Sequence, residues 1–134
     1  MANNTRNISD YSKFIVDLRR HMWMAGIEMD LRRLIWQIAI TGKYISAKIH
    51  ESNRKLAGLR NIHGDEQLAL DKSSDIILQN QLQYSGFVKA YLSEELDRIV
   101  HFEAPQSKYF VTADPLDGSS LVDTNLAIGT IIGI

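Results

Sequence analysis

Six carboxylates fall next to turn signals in the second half of the chain: Asp65, Asp71, Glu94, Glu95, Asp114 and Asp117. The densest group is Asp114-Pro115-Leu116-Asp117-Gly118-Ser119-Ser120, in which Pro-Leu stiffens a turn between two acids. Both carboxylates can then face one metal site, with the Leu116 carbonyl as a third oxygen. Magnesium takes hard oxygen ligands of this kind, a few carboxylates together with water and substrate phosphate. Gly118, Ser119 and Ser120 follow with free backbone N–H groups and two hydroxyls, the makings of a phosphate cradle at the start of a short helix. Carboxylate-held metal beside a phosphate nest points to metal-assisted phosphoester hydrolysis. Each piece alone has a plainer reading. Asp-x-x-Asp-Gly is commonly an Asx-turn loop, Glu94-Glu95 a solvated strand end, and Asp71 a solvated helix face. The chemical reading rests on their combination.

These residues need elements to position them. Residues 1–9 are polar, and Ser9 or Asp10 can cap a helix carrying Phe14, Ile15, Leu18 and Met22 at helical spacing, broken at Gly26. A longer helix runs through Leu31, Leu34, Ile35, Ile38, Ile45 and Ile49, with Gly42 a weak point inside it. The stretch "NRKLAGLRNIHGD" reads as a connecting loop, and a third helix over roughly 65–83 puts Leu70, Ile77 and Leu78 on one side. After Gly86 the texture changes to "FVKAYL", "RIVHF" and "KYFVTA", short β-branched and aromatic runs, with a turn at Pro105. The tail "LAIGTIIGI" is apolar on both faces and predicts a central strand. Helices first and strands later give an α+β or layered α/β domain. Asp65 and Asp71 then lie on the third helix or its entry, and the other four acids at strand ends, where α/β folds collect ligand residues.

The bulk numbers narrow the function classes. The 134 residues have the length of one domain, with 45% apolar and 23% charged residues and a formal net charge of −1. That balance indicates neither a nucleic-acid partner nor a membrane surface. There is no cysteine, so disulfides, thiol nucleophiles and thiolate zinc sites are excluded. The opening "MANNTRNISDYSK" lacks the apolar region of a signal peptide, and a soluble, cytoplasmic protein is the expectation. Arg32-Arg33 could meet a partner subunit or a phosphate, or simply form an exposed helix face. His50, His63 and His101 are isolated, and Trp23 and Trp36 read as packing residues, in the core or at a subunit contact.

"DPLDGSS" closely resembles the metal-binding signature of the class I fructose-1,6-bisphosphatases and the related sedoheptulose-1,7-bisphosphatases. "GDEQLALD" (64–71), "LQYS" (82–85), "SEE" (93–95) and "VDTN" followed by "GTI" match the same family in the same order. The resemblance implies a layered α/β sugar-phosphatase fold, N-terminal helices followed by a mostly antiparallel or mixed sheet. It implies Mg²⁺, with Mn²⁺ as an alternative, held by Glu94, Asp114, the Leu116 carbonyl and Asp117. Asp65, Asp71 and Glu95 would be catalytic, Glu95 with Asp71 polarising the attacking water. Asp117, Gly118, Ser119 and Ser120 would hold the substrate phosphate. The implied reaction is hydrolysis of the 1-phosphate of fructose 1,6-bisphosphate in carbohydrate metabolism, by a homo-oligomer without nucleic-acid or membrane partners. Sedoheptulose 1,7-bisphosphate is the alternative substrate. The Gly-Ser-Ser-Leu run disfavours the inositol monophosphatase branch, and the family's Gly-Glu-x-Thr element is not kept in "MAGIEMDLRR", so AMP inhibition is not expected. In the family a further acidic ligand and the sugar-gripping residues lie beyond the position of Ile134. Residues 1–134 are therefore expected to be the N-terminal metal-binding part, with the C-terminal sugar-binding part absent and the sheet incomplete at its C-terminal end. A non-catalytic binding or assembly module is the reading from a different class.

Overall fold

The computed structural model describes residues 17–56, 63–119 and 128–134. Within them lie three helices, α1 (Leu18–Met24), α2 (Met29–Leu56) and α3 (His63–Ser85), followed by strands β1 (Val88–Ser93), β2 (Val100–His101), β3 (Tyr109–Asp117) and β4 (Gly129–Gly133). The expected order of helices then strands is what the chain adopts, and the fold is α+β.

Capping outranks periodicity at the first helix. Asp17 sits in extended backbone (ψ 161°) and its Oδ1 accepts the Arg20 N–H at 2.8 Å, so α1 begins at Leu18 instead of continuing from the expected cap. Ser9, Asp10, Phe14 and Ile15 lie outside the described residues. Gly26, at φ 70°, closes α1 in the left-handed region that glycine enters without strain. Gly42 does not interrupt α2, which runs 28 residues. Its local penalty of about 1 kcal/mol is outweighed because Leu34, Ile45 and Ile49 on the same helix are all buried. The expected connecting loop 53–65 is helical at both ends: α2 reaches Leu56 and α3 starts at His63. Residues 57–62 lie outside the description.

The sheet has order β2-β1-β3-β4 and is mixed. β1 pairs parallel with β3, from Val88↔Tyr109 to Ser93↔Ala113, while β2 and β4 run antiparallel on the two sides. β4 is an edge strand among the described residues, with Gly129–Ile131 exposed, as expected of a sheet that is incomplete at its C-terminal end. Trp23 is also a correction: it is 67% exposed and not a packing residue of this unit. Trp36 is half-buried, with the Arg19 guanidinium 4.2 Å above its ring.

One core cluster joins helices and sheet through Leu34, Leu78, Leu82, Val88, Tyr91, Phe102 and Val111. A second, nearer the candidate site, joins Ile45, Ile49, Leu70 and Leu116. Leu116, inside the acidic turn, is thus an apolar anchor that ties the turn to α2 and α3. At the other end, Lys108 pairs with Glu28 and with Asp30 (3.2 Å), and Tyr109 Oη donates to Glu28 at 3.2 Å, fastening the start of α2 to the start of β3. Among the described residues no helix is long and apolar enough to cross a membrane.

Candidate metal centre

The parallel pairing of β1 and β3 decides the site. It brings the C-terminal ends of both strands side by side, so Glu94 and Glu95, just after β1, meet Asp114 and Asp117 at the end of β3. The Glu94 N–H donates to the Ala113 carbonyl at 3.0 Å, extending the ladder into the acidic turn. Buried Ser93 then folds the chain back: its Oγ accepts the Glu95 N–H at 3.2 Å and its carbonyl accepts the Leu96 N–H at 3.1 Å.

The Asp114–Asp117 segment stays in strand β3 and is not a free turn, a correction to the sequence reading. Its pairing with β4 shifts register between Asp114 and Asp117, a bulge that re-aims the acids and accommodates Pro115, which has no N–H to donate. Asp114 Oδ1 accepts the Leu116 N–H at 3.1 Å, and Thr130 of β4 donates its hydroxyl to the Pro115 carbonyl at 2.9 Å. Gly118 follows at φ 80°, where any other residue would be strained.

Helix α3 closes the site from the other side. Asp71 is half-buried and its Oδ2 accepts the Ser119 hydroxyl at 3.3 Å, while Gln67, one turn earlier, donates Nε2 to the same Ser119 Oγ at 3.1 Å. The Gly-Ser turn is therefore docked on α3 by two side chains spaced i, i+4. Gln67 has a positional role that no motif announced; only its spacing from Asp71 on one helix face hinted at it. Asp65 falls in the first turn of α3, the surroundings of its side chain lying outside the described residues, as does Ser120.

The acids feel one another's charges. The charge of nearby Asp114 lifts the Glu94 carboxyl above the usual carboxylate range, with Asp117 and Asp71 adding to it. Burial lifts Glu95, reinforced by the charges of Asp71 and Asp75. Burial also lifts Asp71, with Asp114 adding and the Ser119 hydrogen bond opposing. This mutual repulsion is what a divalent cation would relieve, and the all-oxygen donors suit Mg²⁺. Among the described residues no three acidic side chains are already gathered closely enough to hold a metal ion. A cavity of about 300 Å³ beside Glu94 and Asp114, walled by Leu92, Thr112 and Ile131, leaves room for a ligand.

The pH dependence follows with its sign. Raised carboxyls bind protons in the folded state that the unfolded chain releases. Their contribution to stability is therefore present below the ordinary carboxylate range and is lost as pH rises through the raised values. A cation needs the same groups ionised. The rise in Tm on adding Mg²⁺ is expected to be near nil at about pH 4.5 and to grow toward about pH 7.5. Equal increments at both pH values, read by circular dichroism melting, would contradict this.

Away from this site, Arg32 and Arg33 divide. Arg33 is exposed, whereas Arg32 is half-buried with its Nε lacking an acceptor, at a cavity of about 170 Å³ between α1 and α2. His50 is exposed, its Nδ1 2.7 Å from the Ser46 carbonyl, and His101 lies exposed on β2.

Comparisons with known proteins agree with this geometry. Residues 9–134 match the family profile described as fructose-1-6-bisphosphatase, N-terminal domain. The chain is 47% identical over 124 residues to the class 1 fructose-1,6-bisphosphatase of Pelobacter propionicus, covering 92% of this chain and 38% of the relative. It is 48% identical over 124 residues to that of Geobacter metallireducens, covering 92% of this chain and 40% of the relative. Among solved structures it resembles the holo form of Leishmania major fructose-1,6-bisphosphatase, with a TM-score of 0.71 and 29% identity over 88% of this chain and 37% of that one. The chain thus spans under half the length of the relatives it matches. With carboxylates from α3, β1 and β3 meeting at one sheet end and a profile covering nearly all its residues, the chain belongs to the fructose-1,6-bisphosphatase family, in the part that forms the family's N-terminal domain.

Proposed function

We propose that this chain carries the metal-binding part of an Mg²⁺-dependent sugar bisphosphatase that hydrolyses the 1-phosphate of fructose 1,6-bisphosphate. The observation that carries the reading is the electrostatic coupling of Asp71, Glu94, Glu95 and Asp114, drawn from three elements onto the docked Gly118-Ser119 turn. Glu94, Asp114, the Leu116 carbonyl and Asp117 would hold Mg²⁺, which when bound neutralises phosphate oxygens and lowers the pKa of coordinated water. Gly118, Ser119 and Ser120 orient the phosphate through backbone N–H groups and hydroxyls. Glu95 and Asp71, with carboxyls raised above the usual range, are stronger bases than free carboxylates and accept the proton of the attacking water. Asp65 lies on the same helix as Asp71, and its catalytic role is carried over from the family resemblance. Mn²⁺ as a substitute ion, a cytoplasmic setting and a homo-oligomer accompany this reading through the family. The test is phosphate release by the intact protein with Mg²⁺ from fructose 1,6-bisphosphate and from sedoheptulose 1,7-bisphosphate. Turnover of the fructose substrate, lost in Asp117→Ala, is expected. Preference for the sedoheptulose substrate would reassign the sugar, and turnover unaffected by Asp117→Ala would sink the metal assignment.

A further inference from the structure

Behind the candidate metal centre lies a buried polar couple outside the proposed ligand set. Tyr91 is fully buried and Asp75 is 4% exposed, yet the Tyr91 hydroxyl donates to Asp75 Oδ1 at 2.7 Å. A buried carboxylate and phenol are an expensive way to fill a core, since an apolar pair of similar volume avoids their desolvation. What distinguishes this pair is where its ends lead. Asp75 is one helical turn beyond Asp71 on α3. Tyr91 is two residues before Ser93 on β1, and both are buried on the same face of the strand. Ser93, 4% exposed, in turn accepts the Glu95 N–H at 3.2 Å. The Tyr91–Asp75 bond thus ties α3, which carries one proposed base, to β1 two residues before the Ser93 that holds the backbone of the other.

We propose that Asp75 and Tyr91 are positioning residues, fixing the Ser93–Glu95 turn of β1 in register with Asp71 of α3. The consequence for metal rests on the metal-centre reading above; the positioning itself does not. Neither residue is in the proposed ligand set, so they act through β1 and the shared helix. Apolar burial alone holds α3 on the sheet through Leu78 and Leu82, but it is non-directional and leaves α3 free to slide by fractions of an ångström. A hydrogen bond with a fixed length and direction removes that freedom.

Two variants separate this role from simple stability. Tyr91→Phe keeps the ring and removes only the hydroxyl; Asp75→Asn keeps an oxygen acceptor for that hydroxyl and removes the charge. In Tyr91→Phe, amide hydrogen exchange at Glu95 and Leu96 is expected to speed up by about tenfold or more while the amides of α2 keep their protection. Mn²⁺ affinity, measured by calorimetric titration, is expected to fall by about tenfold, in the range seen when residues behind metal ligands are lost. Asp75→Asn is expected to keep both quantities within about twofold of the parent, because the acceptor survives. Exchange at Glu95 and Leu96 unchanged in Tyr91→Phe, or raised only together with the whole fold, would overturn the proposal. So would an Asp75→Asn variant as loose at the turn as Tyr91→Phe, which would mean that the charge and not the geometry is what counts. If the parent binds no Mn²⁺, the metal-centre reading fails, and the exchange data alone still decide the positioning claim.

Discussion

Replacing Asp114 by asparagine is expected to lower Mg²⁺-dependent phosphate release by a factor on the order of 10²–10³, with the fold intact. The side chain has two jobs that this change separates. Its Oδ1 accepts the Leu116 N–H at 3.1 Å, and an asparagine oxygen can do the same, so the bulge at the end of β3 keeps its shape. Its charge is the leading cause of the raised Glu94 carboxyl, and that is lost. In the metal-free protein the loss relieves repulsion, so Tm should stay level or rise slightly. With Mg²⁺ present, a ligand and a negative charge are both missing, and the stabilisation by metal should disappear. A variant that retained turnover within about tenfold would be inconsistent with a ligand role for Asp114.

Leu78→Ala is expected to produce the largest loss of stability. Leu78 is 1% exposed and sits in the cluster where Leu34 of α2, Tyr91 of β1 and Val111 of β3 meet. Removing three buried carbons there loses transfer free energy and leaves a cavity that helices anchored on both sides cannot fill, about 2–5 kcal/mol in comparable cores. Since domains are stable by only about 5–15 kcal/mol, the midpoint of thermal unfolding should fall by roughly 10 °C or more. The control is Ile76→Ala on the same helix, 56% exposed, which should move the midpoint by no more than a degree or two. Equal shifts for the two variants, read by thermal melting, would show that α3 does not pack as described.

The acids were legible in the sequence because hard-ligand chemistry restricts residue type and because turns and strand ends concentrate them. Their partners were not. Asp75 and Tyr91 have no distinctive local spacing and Gln67 only its i, i+4 relation to Asp71, and their roles exist only once α3 lies across β1 and the Gly-Ser turn. Strand order was equally hidden: β1 and β3 are separated by β2 in sequence yet pair directly, in parallel, because the crossover places β2 on the far side. Helix ends were misjudged where local punctuation competed with packing. Gly42 broke nothing because its helix is held by buried Ile45 and Ile49, whereas Asp17 cut a periodic run because its side chain caps a new one. The Asp-Pro pair suggested a turn, but a register shift against β4 lets a proline sit within a strand.

The most direct test of the central claim is calorimetric titration of the chain with Mn²⁺ at about pH 7.5, where protons no longer compete for the raised carboxyls. Saturable binding by the parent chain, displaced by excess Mg²⁺ and lost in Asp114→Asn, is the predicted result. No binding by the parent, or the same binding by the variant, would contradict a metal centre built from these acids.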